Sequence, residues 1–163
     1  LVEAGSLIGL NTVAGIGGSV AYGFISDRLF NARRPPLTLI FALVEIGALL
    51  LIFYGPPSTL LMSVGFVLYG FTLSGLIAVL GGLFAIDIAP KRAVGAAMGV
   101  VGGFSYLGAG IQELTSGLLV QRGMTMVDGV RHYDFSGATL FWVGASVASM
   151  VLATSLWRVR ARD

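Results

Sequence analysis

Apolar residues occupy this chain in five long stretches, and the polar positions between them are gathered into short breaks. A helix that crosses a membrane needs roughly 20 mainly apolar residues, because the hydrocarbon offers its backbone no water to bond. Five stretches reach that length. The pattern therefore predicts an all-α, polytopic membrane helix bundle with five transmembrane helices near residues 4–25, 37–54, 59–86, 93–120 and 138–157.

Each break between these stretches carries turn or charge chemistry that the inside of a spanning helix avoids. The breaks read GFISDRLFNARRPP (23–36), YGPPS (54–58), DIAPKR (87–92) and QRGMTMVDGVRHYDFSG (121–137), and the tail ends in RVRARD. In the first break, Pro35 and Pro36 are expected to stiffen the connection before the second helix begins.

Lysine and arginine are spread unevenly over these segments, with three in the first break, none in the second, two in the third, two in the fourth and three in the tail. The odd-numbered breaks and the tail thus hold eight of the ten basic residues. Basic residues favour the cytoplasmic side of a membrane. We therefore expect residue 1 to start outside and the C-terminus to lie inside, an alternation that fits five spans and not four or six.

Composition agrees with a membrane protein and excludes several other classes. The chain is 56% hydrophobic and 11% charged, with a mean hydropathy of +0.90, which lies outside the range of soluble domains. A net charge of +2 with dispersed basic residues argues against nucleic acid. With no cysteine and only His132, no metal site or cofactor is expected. The absence of a nucleophilic triad or a carboxylate pair argues against an enzyme.

Small residues recur at four-residue spacing along several of the predicted helices. Such rows let two helix backbones approach closely in lipid, where no hydrophobic drive brings helices together. The stretch GIGGS (15–19) imitates a phosphate-binding loop, but it follows no strand and lies within a span, which favours helix packing. The rows are Gly5 and Gly9; Gly70, Ser74, Ala78 and Gly82; and Gly95, Gly99 and Gly103.

The first break contains Gly23, Asp27 and Arg28, followed by Arg33 and Arg34. This G-x-x-x-D-R pattern with a later arginine pair resembles the loop signature of the major facilitator superfamily, although the pair stands two residues later than is usual. The resemblance implies that the glycine permits a tight turn and that the carboxylate meets a neighbouring helix N-terminus and basic partners. The alternative is a solvated loop in which Asp27 is a simple counter-charge.

A second stretch, AIDIAPKRAVGAAMGVVGGFSYLGAG (85–110), carries an acidic residue, an Ala-Pro pair and a basic pair before a glycine-rich helix. It resembles the organophosphate:phosphate antiporters, which include glycerol-3-phosphate and hexose-phosphate transporters and their sensor relatives. Asp87, Lys91 and Arg92 are assigned to this second loop motif by that resemblance. It implies that residues 1–163 are spans 8–12 of a twelve-span protein, a C-terminal six-helix bundle that lacks span 7.

Polar residues near the middle of the spans are the candidates for substrate contact. Tyr106 lies about 13 residues into the fourth span, roughly 20 Å deep, and the resemblance implies that it lines the cargo cavity. Glu113 lies on the same face seven residues later and is a candidate for proton coupling, gating or substrate contact. Ser74, Asn11 and Thr12 complete the predicted site. The cationic groups that bind phosphate are expected on spans outside this chain.

A carboxyl at Glu45 also lies mid-way along a span, but the resemblance places that span at the periphery.

The resemblance implies a transporter of the bacterial inner membrane that exchanges an organic phosphate for inorganic phosphate by alternating access, together with the N-terminal half of the same protein. Two alternatives stay open. One is a membrane sensor of sugar phosphate, and the other is a facilitator for a non-phosphorylated organic anion.

Overall fold

The computed structural model of the chain describes residues 2–31, 33–127 and 129–155. Five long helical rods account for most of these residues, and a two-stranded hairpin joins the last two rods. In chain order the elements are α1 Val2–Leu29, α2 Arg34–Tyr54, α3 Thr59–Ala78, a π-helical turn Val79–Leu83, α4 Phe84–Ile88, α5 Val94–Arg122, β1 Met124–Val127, β2 Val130–Tyr133 and α6 Ser136–Ser155.

Five helices in the described part are long and apolar enough to cross a membrane, which confirms the predicted helix bundle. They are Gly5–Leu29, Arg34–Tyr54, Thr59–Asp87, Val94–Arg122 and Ser136–Ser155. The third combines α3, the π-helical turn and α4 into one continuous rod. The basic tail, with Arg158, Arg160 and Arg162, lies outside the described residues.

The connection between α1 and α2 is shorter than predicted, because α2 begins at Arg34 and not after the prolines. Pro35 and Pro36 stand in the first turn of the helix, where a missing N–H costs nothing and the fixed φ is already helical. The expected tight turn at Gly23 is also wrong, since Gly23 lies inside α1. The left-handed backbone position is at Asn31, with φ of 49°, a conformation that asparagine tolerates better than most residues.

A π-helical turn interrupts the rod that runs from Thr59 to Ile88. Its sequence is VLGGL, residues Val79–Leu83. A single π turn adds one residue to the regular ladder, so the helix that follows is rotated by about 100° relative to an uninterrupted α-helix. The direction in which Asp87 points, four residues beyond the turn, therefore depends on it.

The closest helix contact in the fold joins α1 to α3 through small residues. A Cβ atom added to Gly18 would overlap the backbone of Phe71, and one added to Gly15 would overlap the hydroxyl of Ser74. The interpretation of GIGGS as a packing stretch therefore agrees with the structure. The rows Gly5 and Gly9, and Gly95, Gly99 and Gly103, behave differently, because no described atom lies within 4 Å of the corresponding Cβ positions.

The buried core lies where α1, α2 and the α3 rod meet. Tyr22 is fully buried and forms a T-shaped contact with Phe41, with ring centroids 5.0 Å apart, and Phe41 stacks on Phe71 at 5.7 Å. Leu37, Ala42, Leu76 and Val79 complete the same cluster. By contrast, α5 contributes no buried residue in this structure.

The fourth break contains an antiparallel hairpin, a feature that was not predicted from the sequence. Met124 pairs with Tyr133, and Val127 pairs with Val130. Gly129, with φ of 78°, stands in the turn. Beyond β2, Asp134 accepts hydrogen bonds from the backbone amide and the hydroxyl of Ser136, at 2.9 and 2.6 Å. These bonds cap the start of α6 and hold the pKa of Asp134 below its ordinary value.

Two neighbouring glycines of α1 provide a test of the α1–α3 contact. We expect Gly18→Ala to lower the thermal unfolding midpoint of the intact protein in detergent, because the added methyl overlaps backbone and overpacking costs about 1–3 kcal/mol. Gly17→Ala is the matched control, since its Cβ would stand 4.0 Å from the Phe71 ring, an ordinary contact. Equal midpoints for the two variants would contradict the described packing.

Candidate functional site

An ion-pair cluster of Asp27, Arg34 and Asp87 joins three helix ends. Nη1 of Arg34 donates to Oδ1 of Asp27 at 2.8 Å, and Nε of Arg34 donates to Oδ2 of Asp87 at 2.9 Å. Asp27 lies at the end of α1, Arg34 at the start of α2 and Asp87 in α4. A single guanidinium thus ties the end of each of these helices to the same point.

Tyr22 of α1 holds the first turn of α2 through hydrogen bonds. The tyrosine hydroxyl donates to the carbonyl oxygen of Arg34 at 3.0 Å and lies 2.7 Å from Oγ1 of Thr38. Oγ1 of Thr38 also donates to the Arg34 carbonyl, at 2.9 Å. Because Tyr22 is fully buried, these bonds attach the Arg34 carbonyl to the buried core.

The two ion pairs differ in how much water reaches them. The Arg34 side chain is 9% exposed, and Asp87 is 20% exposed, whereas Asp27 is 61% exposed. A screened pair contributes little to stability, while breaking a desolvated pair leaves an uncompensated charge. The Arg34–Asp87 bond therefore holds α2 to α4 more strongly than the Arg34–Asp27 bond holds α2 to α1.

The other basic residues of the two loop motifs lie away from this cluster. Arg28 is exposed, with its guanidinium carbon 5.4 Å from the centre of the Phe24 ring. Arg33, Lys91 and Arg92 are also exposed. The structure thus brings together one arginine and two carboxylates from the predicted motifs and leaves the remaining four basic residues on the surface.

Four of the five predicted substrate residues divide into two groups. Ser74 lies in the α1–α3 contact, where its hydroxyl meets Gly15, and Asn11 lies there too, because its backbone and side-chain oxygen face Gly70. The Asn11 side-chain oxygen is buried and has no hydrogen-bond partner in the described structure. Thr12 is exposed and bonds the Ile8 carbonyl of its own helix at 2.9 Å. Tyr106, on α5, is 83% exposed.

A cavity of about 850 Å³, here named the bundle cavity, opens between α2, α3, α5 and α6. Its polar lining includes Glu45, Tyr69, Gln112, Glu113 and Ser116. Glu113 therefore faces this cavity, whereas Tyr106 does not line it, so the two residues are not brought to one site. Sequence spacing alone put them on one helix face, but it could not show which neighbouring helices that face meets.

A second cavity of about 620 Å³, the hairpin cavity, lies between α5 and the hairpin. Arg131 and Tyr133 of β2 line it together with Glu113 and Ser116, which belong to both cavities. At this end Nε1 of Trp142 donates to the Ser116 hydroxyl at 2.7 Å, and the Trp142 ring lies 5.6 Å from that of Phe53. These contacts join the ends of α2 and α5 to the start of α6.

Sequence reasoning missed Tyr22 and Thr38, which orient the arginine of the cluster. The available signal was a threonine four residues after Arg34, which is a neighbour on the same helix face; Tyr22 lies five residues before Asp27 and gave no such signal. No cluster of histidine, cysteine and acidic residues that could hold a metal ion occurs among the residues that the structure describes.

Comparison with known proteins identifies the family. The profile of the Major Facilitator Superfamily matches residues 1–163. This chain belongs to the major facilitator superfamily. Superfamily members that resemble it include the glycerol-3-phosphate transporter of Bacillus subtilis (strain 168), which is 30% identical over 156 residues, covering 91% of this chain and 32% of the transporter.

Two further relatives are named as a membrane sensor and as a probable transport protein. The membrane sensor protein UhpC of Escherichia coli (strain K12) is 36% identical over 117 residues, covering 68% of the chain and 25% of the sensor. A probable hexose phosphate transport protein of Chlamydia pneumoniae is 30% identical over 115 residues, covering 66% of the chain and 24% of the relative. The chain thus spans only 24% to 32% of the length of these relatives. No solved structure matches it.

These similarities agree with the resemblance to the organophosphate:phosphate antiporters. Together with five helices of spanning length, they make this superfamily member a multi-pass membrane protein with bacterial relatives. The relatives are named as transporters and as a sensor.

The unequal exposure of the two aspartates in the ion-pair cluster predicts unequal effects of substitution. We expect Asp87→Asn to destabilise the intact protein by about 3 kcal/mol, because it leaves the buried guanidinium with a weaker partner. Asp27→Asn is the matched change at the exposed pair and is expected to cost less than about 1 kcal/mol. Thermal unfolding in detergent measures both, and a larger effect for Asp27→Asn would contradict the assignment.

Proposed function

We propose that this chain forms spans 8–12 of a twelve-span transporter that exchanges an organic phosphate for inorganic phosphate across a bacterial inner membrane. The observation that carries the proposal is the 30% identity to a glycerol-3-phosphate transporter over 91% of the chain. Transporters of this architecture place their cargo near the bilayer midplane between two halves. This chain then supplies one wall of that cavity.

Exposed positions on α1 and on α5 support the proposed half-protein. Thr12 and Tyr106 are exposed there, and the glycines at positions 95, 99 and 103 have no described neighbour where a Cβ would stand. Glycine rows of this kind are suited to close backbone contact in lipid. We infer that span 7 and the N-terminal half cover this surface, with Tyr106 facing the substrate between them.

The ion-pair cluster supports a rigid-body mechanism. Because Arg34 ties α1, α2 and α4 at one end, those helices move as a unit when the two halves rock around the substrate. The phosphate group is held by cationic side chains of other spans, and Tyr106 orients the substrate. In the proposed orientation the ion-pair cluster lies on the cytoplasmic side, as does the C-terminus.

A sensor is the second candidate function, favoured by the 36% identity to the membrane sensor protein UhpC. A sensor of this kind binds sugar phosphate with the same surfaces and signals through a membrane partner. Exchange separates the two candidates. We expect labelled inorganic phosphate to enter phosphate-loaded vesicles that contain the intact protein, and substrate binding without such counterflow would identify a sensor.

Substitution at Tyr106 tests its proposed contact with substrate. We expect Tyr106→Phe to weaken apparent affinity for the organic phosphate by roughly tenfold, the equivalent of one hydrogen bond, and Tyr106→Ala to weaken it further. Equilibrium binding to the purified intact protein measures both. Ser105→Ala is the neighbouring control, and unchanged affinity in both Tyr106 variants would remove Tyr106 from the proposed site.

Substitution at Glu113 tests a role in proton coupling. A carboxyl that takes up or releases a proton during exchange imposes its own titration on the transport rate. We expect Glu113→Gln to flatten the dependence of phosphate counterflow on pH. A profile with the same shape as that of the parent protein would assign coupling to another group.

A further inference from the structure

One face of α2 is apolar and exposed along most of the helix. Its residues, which we name the outer α2 face, are Ile40, Leu43, Val44, Gly47 and Leu50. At about 100° per residue, this face lies roughly opposite the buried side chains of Phe41 and Ala48. The buried side lies against glycines of α3, so the outer α2 face points away from the bundle.

The part of the outer α2 face up to Gly47 spans one membrane leaflet. Leu37 is the first apolar residue after the prolines, and Gly47 lies ten residues beyond it. Ten residues extend about 15 Å along a helix, which is half of a hydrocarbon core of about 30 Å. No described atom lies within 4 Å of the place where a Cβ on Gly47 would stand. The glycine therefore leaves a notch in the apolar surface between Leu43 and Leu50.

Two exposed arginines stand where this face meets the membrane boundary. Arg33 precedes Ile40 by seven residues, which is close to two helical turns, so it stands at the foot of the outer α2 face. Arg28 lies in the last turn of α1. A turn in which the amide of Arg33 donates to the carbonyl of Phe30 at 2.9 Å keeps the connection short, so both arginines lie at the same end.

Positive charge is in excess at this end of the bundle. The two acidic residues described here, Asp27 and Asp87, both bond Arg34. Five basic residues against these two acids leave a net charge of +3, and they are Arg28, Arg33, Arg34, Lys91 and Arg92. Within the described ranges, neither Arg28 nor Arg33 forms an ion pair. Because guanidinium groups bind phosphate through paired hydrogen bonds, this boundary offers a phosphate group two cationic partners.

We propose that an anionic phospholipid binds along the outer α2 face. Its phosphate bonds to Arg33 and Arg28, and one acyl chain lies over Ile40 and Leu43 as far as the notch at Gly47. A free phosphate ion would use the arginines alone, whereas an apolar face one leaflet long that ends at two cations fits a molecule with both parts. Basic residues at a membrane boundary attract anionic headgroups. The site lies on the outside of the bundle and does not depend on phosphate exchange.

Two phospholipids with the same chains and different headgroup charge test the proposal. We expect dioleoyl phosphatidylglycerol to bind the purified, delipidated intact protein in detergent at a lower concentration than dioleoyl phosphatidylcholine, as counted by native mass spectrometry. Glycerophosphoglycerol, the same headgroup without chains, should not displace bound phosphatidylglycerol. Equal binding of the two lipids, or displacement by the headgroup alone, would overturn the proposal.

Two double substitutions with the same loss of charge locate the headgroup. We expect Arg28→Gln with Arg33→Gln to weaken phosphatidylglycerol binding by about 25-fold, which is about fivefold for each arginine. Lys91→Gln with Arg92→Gln is the matched control in the connection between α4 and α5, and it should change the affinity by less than about twofold. A similar loss in both double variants would mean a general attraction to the basic end and would contradict a site on α2.

Filling the notch tests the position of the acyl chain without changing any charge. We expect Gly47→Leu to weaken phosphatidylglycerol binding by about fourfold, the equivalent of one methylene group that loses its contact. Gly144→Leu on α6 is the control, because Gly144 is also exposed and has no described atom within 4 Å of its Cβ position. Unchanged affinity in Gly47→Leu, or an equal loss in both variants, would contradict an acyl chain on the outer α2 face.

Discussion

The bond between a buried guanidinium and two carboxylates fixes the relation of three helices in this protein. Arg34 reaches the end of α1 through Asp27 and the end of α4 through Asp87, and its own backbone is held by Tyr22. A lone buried charge is costly, so the arginine keeps its position only while its partners keep theirs. The helix ends at this side of the bundle are therefore interdependent.

The rest of the bundle is organised around this fixed end in two different ways. Beside it, α1 and α3 meet at backbone distance through Gly15 and Gly18, and the aromatic core fills the space toward α2. On the other side α5 contributes no buried residue and is joined to α6 by the bond between Trp142 and Ser116. The helices α1, α2 and α3 thus share a buried core, whereas α5 is exposed and borders two cavities.

The sequence pattern predicts the five helices well, because membrane-spanning length and apolarity are properties of each segment by itself. Features that depend on contacts between helices are harder to predict from the sequence. The start of α2 at Arg34 was not predicted, because proline occurs both in loops and in the first turn of a helix. The sequence of Pro35 and Pro36 alone does not distinguish these two positions. The hairpin after α5 shows no alternating burial, so its strands leave little signal. The separation of Glu113 from Tyr106 depends on which helices surround α5, and spacing alone does not contain that information.

The widened turn at Val79–Leu83 ties the spacing of one rod to the electrostatics at its tip. Loss of the extra residue would turn Asp87 through about a quarter of a circle while the rod stayed intact and in place. The carboxylate would then leave Arg34 although no helix had separated from another. The number of residues in the VLGGL segment thus determines whether Asp87 can reach Arg34. An insertion or deletion in this segment would break that ion pair without any loss of helical structure.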